Sequence, residues 1–109
     1  MANTFKSLTL DAVTTMSDLV PTVASGSTVI VLSCRATNVD GTADATVQVE
    51  LTDGASKNGF LAYDITVPAN SSLEIAGVTK IVLQTGDKLQ GLASVDGDIE
   101  FVISYLEIT

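Results

Sequence analysis

The sequence predicts an all-β protein, folded as an antiparallel two-sheet sandwich that is jelly-roll-like or immunoglobulin-like, with about eight or nine short strands. Three observations predict this fold. Apolar and polar residues alternate with a period of two along most of the chain. Turn-forming Gly, Pro, Asn and Asp residues interrupt the alternation at intervals of about 8–12 residues. No segment repeats its apolar residues at the period of a helix.

The N-terminal half contains the strand with the clearest signal. Val29 to Leu32 is apolar on both faces, which is typical of a strand covered on both sides. Pro21 restricts the short extended piece before it to an edge or a bend. Asp40-Gly41 is typical turn chemistry and predicts an antiparallel hairpin between the strands on either side of it. The predicted strands of this half cover 7–13, 19–23, 28–37 and 45–52.

The C-terminal half contains shorter strands followed by one long closing strand. Turns are expected at Gly77, at Gly86-Asp87 and at Asp96-Gly97-Asp98. Along the closing strand, Ile99, Phe101, Ile103 and Tyr105 share one face, and Val102, Leu106 and Ile108 share the other. The predicted strands of this half cover 60–67, 73–76, 79–83, 88–94 and 99–108.

The length and the charge limit the classes of function. With 109 residues the chain is expected to form one domain, 1–109, in which residues 1–18 act partly as an N-terminal arm. The net charge of −8 disfavours nucleic acid and anionic membranes as partners, because both are bound by Lys and Arg. The acidity is interpreted either as attraction to a basic partner or as a device for solubility, and solubility is favoured. The sequence shows no signal peptide and no membrane-spanning run, which fits assembly in a reducing cytoplasm.

The residue types needed by most catalysts are missing. The chain has no histidine, so it cannot build a Ser-His-Asp triad, a Cys-His pair or an imidazole metal site. Its single cysteine, Cys34, is interpreted as a small buried residue that shares a face with Ile30 and Leu32. No phosphate-binding loop or dinucleotide fingerprint occurs. The sequence therefore predicts a protein that is not an enzyme and has no cofactor.

One acidic cluster leaves two interpretations open. Asp96, Asp98 and Glu100 lie within five positions, and Asp98 and Glu100 share a strand face. Carboxylate oxygens are the ligands that calcium prefers, so these three residues are a weak candidate for a cation site. The spacing does not match a known calcium loop, and Asp-Gly-Asp is ordinary hairpin chemistry. The turn interpretation is favoured, and no metal is expected.

Two strands carry apolar residues on both faces, the Val29–Leu32 run and the closing strand. A sandwich of this size has one core, so a second covered surface such as a subunit interface would explain them. The alternative is a strand that lies beneath a loop, with tyrosines at ordinary half-buried positions. The candidate interface residues are Val102, Tyr105, Leu106 and Tyr63.

Five patterns of strands and turns are distributed over almost the whole chain. They are Phe5-Lys6-Ser7-Leu8-Thr9-Leu10 with Val13-Thr14-Thr15, Thr28-Val29-Ile30-Val31-Leu32-Ser33-Cys34-Arg35-Ala36-Thr37-Asn38, Val67-Pro68-Ala69-Asn70-Ser71-Ser72-Leu73-Glu74, Lys80-Ile81-Val82-Leu83-Gln84-Thr85-Gly86-Asp87 and Ser104-Tyr105-Leu106-Glu107-Ile108. Together these segments resemble the small β-sandwich virion structural proteins of tailed phages, including those of cyanobacteria.

The resemblance implies a non-enzymatic part of a virion, assembled in the host cytoplasm. The expected function is capsid decoration, or cement, in which the protein binds the major capsid protein and stabilises the shell. The resemblance also implies a homo-oligomer, with a trimer favoured. A tail, baseplate or fibre-associated component is the alternative, and a carbohydrate-binding module is a remote one. No catalytic residue is implied.

Overall fold

The computed structural model describes residues 2–76 and 79–109, which contain nine β-strands and no helix. Gly77, predicted as a turn, lies outside the described residues. The predicted all-β, two-sheet fold is confirmed. The strands are β1 (Asn3–Asp11), β2 (Ser17–Val20), β3 (Thr28–Asn38), β4 (Ala45–Thr52), β5 (Asn58–Val67), β6 (Ser72–Glu74), β7 (Ile81–Leu83), β8 (Lys88–Ala93) and β9 (Ile99–Ile108).

The strands divide between a five-stranded and a four-stranded antiparallel sheet. The first has the order β1-β9-β3-β6, with β7 also paired to β3, and the second has the order β2-β8-β4-β5. Most connections therefore cross from one sheet to the other. Because β1 and β2 lie in different sheets, the order differs from that of an immunoglobulin domain, whose first two strands share a sheet.

The predicted hairpin between the strands on either side of Asp40-Gly41 is wrong. β3 pairs with β9, β6 and β7, whereas β4 pairs with β5 and β8 in the other sheet. The buried side chain of Asn38 fixes this crossing, because its amide donates to the carbonyls of Ala43 and Val67, each at 2.9 Å. The Asn38 Oδ1 atom accepts the N–H of Asp40 at 2.9 Å. Turn residues mark where the chain leaves a strand and do not specify which sheet it enters next.

The core lies between the inner faces of the two sheets. Phe101 at its centre is fully buried and contacts the opposite sheet near Gly91. A Cβ atom on Gly91 would lie 2.9 Å from Leu19 Cδ1 and 3.1 Å from the carbonyl oxygen of Gln48. The absence of a side chain at this position therefore leaves room for Leu19 of the adjacent strand and for Phe101 of the facing sheet, whose Cζ atom would lie 3.4 Å from such a Cβ atom. Other fully buried large side chains are Leu83, Leu89, Ile99, Ile103, Val29, Val31, Val47 and Val49.

A β-bulge in β3 changes which face its residues occupy. The register with β9 is regular up to Val31, shifts by one residue, and resumes at Ser33. As a result Val31 and Cys34 are both fully buried, while Ile30 is only partly buried. The predicted sharing of a face by Cys34, Ile30 and Leu32 is therefore wrong. Strict alternation places residues two apart on one face, but one inserted residue reverses that assignment.

Candidate assembly surface

The outer face of the five-stranded sheet carries a set of apolar side chains that lie in register across neighbouring strands. In β9, Phe101, Ile103 and Tyr105 point into the core, so Val102 and Leu106 point outward. Leu106 pairs directly with Ile30 of β3 on the outer face. The two strands that carry apolar residues on both faces, β3 and β9, are thus neighbours, and their outward residues lie side by side.

Four apolar residues form a continuous row across this face, which we call the apolar row: Phe5, Leu106, Ile30 and Val82. Phe5 pairs with Leu106 on one side, and Val82 pairs with Ile30 on the other. Phe5 is 74% exposed and Val82 is 53% exposed, while the two central residues are partly buried by their neighbours. Such contiguous exposed apolar surface is typical of a contact site.

The surroundings of the apolar row contain few charges. In β1, β9 and β3 the outward positions in the pairs on either side of the apolar row carry uncharged side chains, while Arg35, one pair further along, is charged and pairs with Val102. The uncharged residues are Asn3, Ile108, Thr28, Ser7, Ser104 and Ser33. In a chain with a net charge of −8 this face can meet a partner without bringing further carboxylates into contact.

The β3 bulge beside the apolar row is held by two charged side chains. Glu74 Oε2 accepts the N–H of Cys34 at 2.9 Å and the N–H of Ala76 at 3.3 Å. The ammonium group of Lys80 donates to the carbonyl of Leu32 at 3.0 Å. These contacts satisfy backbone groups of β3 in the gap between its pairings with β6 and β7.

The four candidate interface residues do not lie on one surface. Val102, which is 42% exposed, and Leu106 lie on the outer face of the five-stranded sheet. Tyr105 is 7% exposed and belongs to the core, because it occupies an inward position of β9. Tyr63 is 59% exposed on β5 of the other sheet, where its ring meets that of Phe60 edge-on, with centroids 4.8 Å apart.

The sequence reasoning missed Phe5 and Val82. Phe5 lies between Thr4 and Lys6, whereas Val82 is the middle residue of the apolar run Ile81-Val82-Leu83. Alternation alone does not show which face of a strand is exposed. One signal in the sequence could have identified Phe5. It has an odd number in its strand, whereas Leu8 and Leu10 have even numbers, so Phe5 lies on the opposite face from these two leucines. Val82 could be identified only from the pairing of β7 with β3, and no local sequence pattern indicates that pairing.

Two of the three acidic candidates, Asp96 and Asp98, lie in the turn that joins β8 to β9, and the third, Glu100, lies in β9. Asp96 Oδ1 accepts the N–H of Thr14 at 2.9 Å. Asp98 lies beside Asp40, and both partial burial and the neighbouring carboxylate raise the pKa of Asp98. Glu100 points outward from β9. Within the described residues no group of three or more His, Cys, Asp or Glu side chains is arranged to hold a metal ion.

Cys34 is fully buried in the core. Burial, with a smaller contribution from the carboxylate of Glu74, raises the pKa of its thiol to about 12. A thiol in this environment stays protonated and is a poor nucleophile. Residues 2–76 and 79–109 enclose no detectable cavity, and they contain no helix that could span a membrane.

No known protein family and no curated protein sequence matches the chain. Among solved structures, a subunit of the disulfide-linked pili of Bacillus endospore appendages is similar, with a TM-score of 0.54 and 12% sequence identity. The similarity covers 97% of this chain and 84% of that one. Two structures of a pentameric capsid protein from metagenomic phage sequences each give a TM-score of 0.47 and 15% identity.

The two capsid matches cover 93% of this chain, which spans 63% and 59% of their lengths. At 12% identity the similarity to the pilus subunit shows a shared fold. The chain is therefore an antiparallel β-sandwich of the kind found in that appendage subunit.

Proposed function

We propose that this protein is a non-enzymatic structural protein that works as one repeated part of a larger assembly. The observation that carries the proposal is the apolar row on the outer face of the five-stranded sheet, in which Phe5 is 74% exposed and Val82 is 53% exposed. Exposed apolar side chains in one register across four strands gain stability when a partner covers them. The pilus subunit of Bacillus shows that this fold serves elsewhere as a polymer subunit.

We further propose that this assembly is a phage virion. The protein would decorate the capsid there by binding to the major capsid protein. The resemblance of the sequence to small virion proteins supports it. The net charge of −8 supports it too, because an acidic decoration protein is attracted to basic patches on a shell. Many copies of a weak contact, repeated by symmetry, would stabilise the shell.

A jelly roll is the form of sandwich that the strand order supports. Most connections cross between the sheets, and the first and last strands, β1 and β9, are neighbours. The N-terminal segment 1–18 contributes β1 to one sheet and the first two residues of β2 to the other, and we propose that it also acts partly as an arm in the assembly.

The structure offers less support for the other functions. A tail or baseplate component would share the fold and the apolar row but be present in fewer copies. A carbohydrate-binding module would need aromatic rings that lie flat against a sugar. The exposed pair of Phe60 and Tyr63 is inclined at 76°, so the two rings do not form a flat platform.

The test is the copy number of the protein in purified phage particles, measured by quantitative mass spectrometry against the major capsid protein. About one copy per capsid subunit, or per symmetric group of subunits, is expected of a decoration protein. A few to tens of copies per particle would indicate a tail component. Absence from the particles would contradict the virion proposal.

The contact surface is tested by adding purified protein to particles that lack it. Val82→Lys is expected to weaken binding at least tenfold, since it places a charge in the apolar row. Val95→Lys is the matched control, because Val95 is 45% exposed in the turn before β9 and lies outside the row. Equal binding of both variants would exclude the apolar row as the contact surface.

The resemblance implies a trimer, and light scattering on the isolated protein tests that expectation through its mass. The long and regular edge strand β1 favours a dimer with two-fold symmetry instead.

A further inference from the structure

Among the described strands, one sheet edge lacks the shortness, bulges and prolines that block pairing. β6 and β7 are three residues long, and β2 has a register shift and is followed by Pro21. β5 contains two register shifts, and Asp64 within it has a φ of 50°. Short strands, bulges and proline are the features that block edge-to-edge pairing. By contrast, β1 has nine residues in uninterrupted register with β9, and no described strand pairs with its other side.

The backbone groups on that free side can be assigned to particular residues. Ala2 and Thr109 exchange two hydrogen bonds, of 3.3 Å and 2.9 Å, and the N–H of Ala12 donates to Ile99 at 2.8 Å. Even-numbered residues of β1 therefore bond to β9, because the pairs of an antiparallel ladder alternate. The odd-numbered residues direct their N–H and C=O groups to the free edge. They are Asn3, Phe5, Ser7, Thr9 and Asp11.

We propose that this edge pairs with β1 of a second copy of the same chain, antiparallel and about a two-fold axis at Ser7. In this register Ser7 faces Ser7 of the second copy, Phe5 faces Thr9, and Asn3 faces Asp11. All of these are odd positions, so every pair exchanges two backbone hydrogen bonds. Two five-stranded sheets become one continuous sheet of ten strands.

A second copy fits this edge because the pairing is self-complementary in charge. Asp11 lies opposite the neutral Asn3, and Lys6 lies opposite Leu8. The ammonium group of Lys6 is already paired with Glu107 of its own chain at 2.8 Å, which offsets the charge near the axis. The register thus joins two chains of net charge −8 without placing like charges opposite each other. The two apolar rows also come to lie on the same side of the joined sheet.

Disulfide trapping tests the register directly. In a hydrogen-bonded antiparallel pair the Cα atoms are about 5.5 Å apart, which a disulfide can span. Ser7→Cys is therefore expected to give a covalent dimer under mild oxidation. Thr9→Cys, on the same strand and face, is the matched control, because its two copies would be separated by about 14 Å along the strands. The native Cys34 is buried and does not interfere.

A mass measurement tests whether the pairing needs the free backbone groups. Ser7→Pro removes an N–H that does not bond to β9, so the chain is expected to stay folded. The dissociation constant of its dimer is expected to rise at least tenfold. Ser7→Ala keeps the N–H and is expected to dimerise like the original protein. Circular dichroism confirms folding, and sedimentation equilibrium gives the mass.

Three outcomes would overturn the proposal: a monomer at every concentration, equal cross-linking of the Ser7→Cys and Thr9→Cys variants, or an undiminished dimer of Ser7→Pro. A monomer that pairs only with a different protein would reassign the edge to that protein. These measurements use the isolated chain, so their failure is separate from a failure to find the protein in virions.

Discussion

Glu74 accepts a hydrogen bond from the backbone N–H of Cys34 at 2.9 Å, in the gap where β3 changes partners from β7 to β6. The carboxylate of Glu74 thus accepts a hydrogen bond from a backbone N–H of β3 in the gap between the residues that pair with β7 and with β6. The bulge that it holds buries Cys34 and turns Ile30 outward into the apolar row. The core and the candidate contact surface therefore depend on the same local irregularity.

Removing this carboxylate is expected to destabilise the fold. Glu74→Ala leaves the N–H groups of Cys34 and Ala76 without their acceptor, at a cost of about 1–3 kcal/mol in the free energy of unfolding. Glu74→Gln keeps an acceptor oxygen and is expected to cost less. Urea unfolding of the three proteins measures the differences.

Arg35→Ala is the control for the ion pair alone, since the Arg35 guanidinium lies 3.7 Å from Glu74 and is about half exposed. An exposed pair of this kind contributes about 0–1 kcal/mol. If Arg35→Ala and Glu74→Ala cost the same, the ion pair and not the backbone hydrogen bond stabilises the bulge.

Gly91 is expected to tolerate no side chain. Gly91→Ala places a Cβ atom 3.1 Å from the carbonyl oxygen of Gln48, which the neighbouring strand holds in place. Overpacking of this kind costs about 1–3 kcal/mol. Gly59→Ala is the matched control, because nothing lies within 4 Å of its added Cβ atom. Thermal unfolding should separate the two variants, and equal melting temperatures would show that the neighbours of Gly91 can shift at little cost.

Asn38 is expected to be essential for the crossing from β3 to β4. Asn38→Ala removes two donors and one acceptor from a buried site and leaves three backbone groups without partners. The expected loss is about 2–4 kcal/mol, measured by urea unfolding. Asn38→Asp keeps the acceptor for Asp40 but replaces the donors with an oxygen that faces two carbonyls. A variant Asn38→Asp as stable as the original would show that the two donated bonds contribute little.

High pH is expected to destabilise the protein through Cys34. Because the pKa of this thiol is raised from 9.0 to about 12, the folded state keeps the proton over a range in which the unfolded state loses it. The stabilisation is complete below pH 9 and falls by about 1.4 kcal/mol for each pH unit above it, until pH approaches 12. Cys34→Ala lacks the thiol and should show a shallower decline in urea unfolding. Parallel declines of the two proteins would contradict the burial of Cys34.

The acidic turn is expected to be more stable when Asp98 is neutral. Partial burial and the nearby Asp40 raise the pKa of Asp98, so its contribution to stability is present at low pH and is lost as pH rises through the folded-state pKa. Asp98→Asn should therefore raise the melting temperature at pH 7 and leave it unchanged at pH 3.

Asp96→Ala is the contrasting variant in the same turn, because it removes the acceptor for the N–H of Thr14. It is expected to lower the melting temperature at pH 7. If both variants change the melting temperature in the same direction, charge repulsion does not distinguish the two carboxylates.

The fold class, most strand positions and the two faces of the closing strand could be predicted from local patterns of residues. These features follow from a period of two, which is a local property of neighbouring residues. The bounds of the last strand, Ile99–Ile108, are those predicted, and Val102 and Leu106 point outward as expected. The exclusion of imidazole chemistry also needs only the composition.

The neighbours of each strand could not be predicted from any local pattern. Pairing partners are set by the packing of two whole sheets, so the turn at Asp40-Gly41 could not show that β3 and β4 lie in different sheets. The bulge at Leu32 depends on Glu74 and Lys80, about 40 or more residues away in sequence, and it moved Cys34 to the other face. The apolar row has the same origin, because Phe5, Leu106, Ile30 and Val82 come from four strands that only long-range hydrogen bonding places side by side.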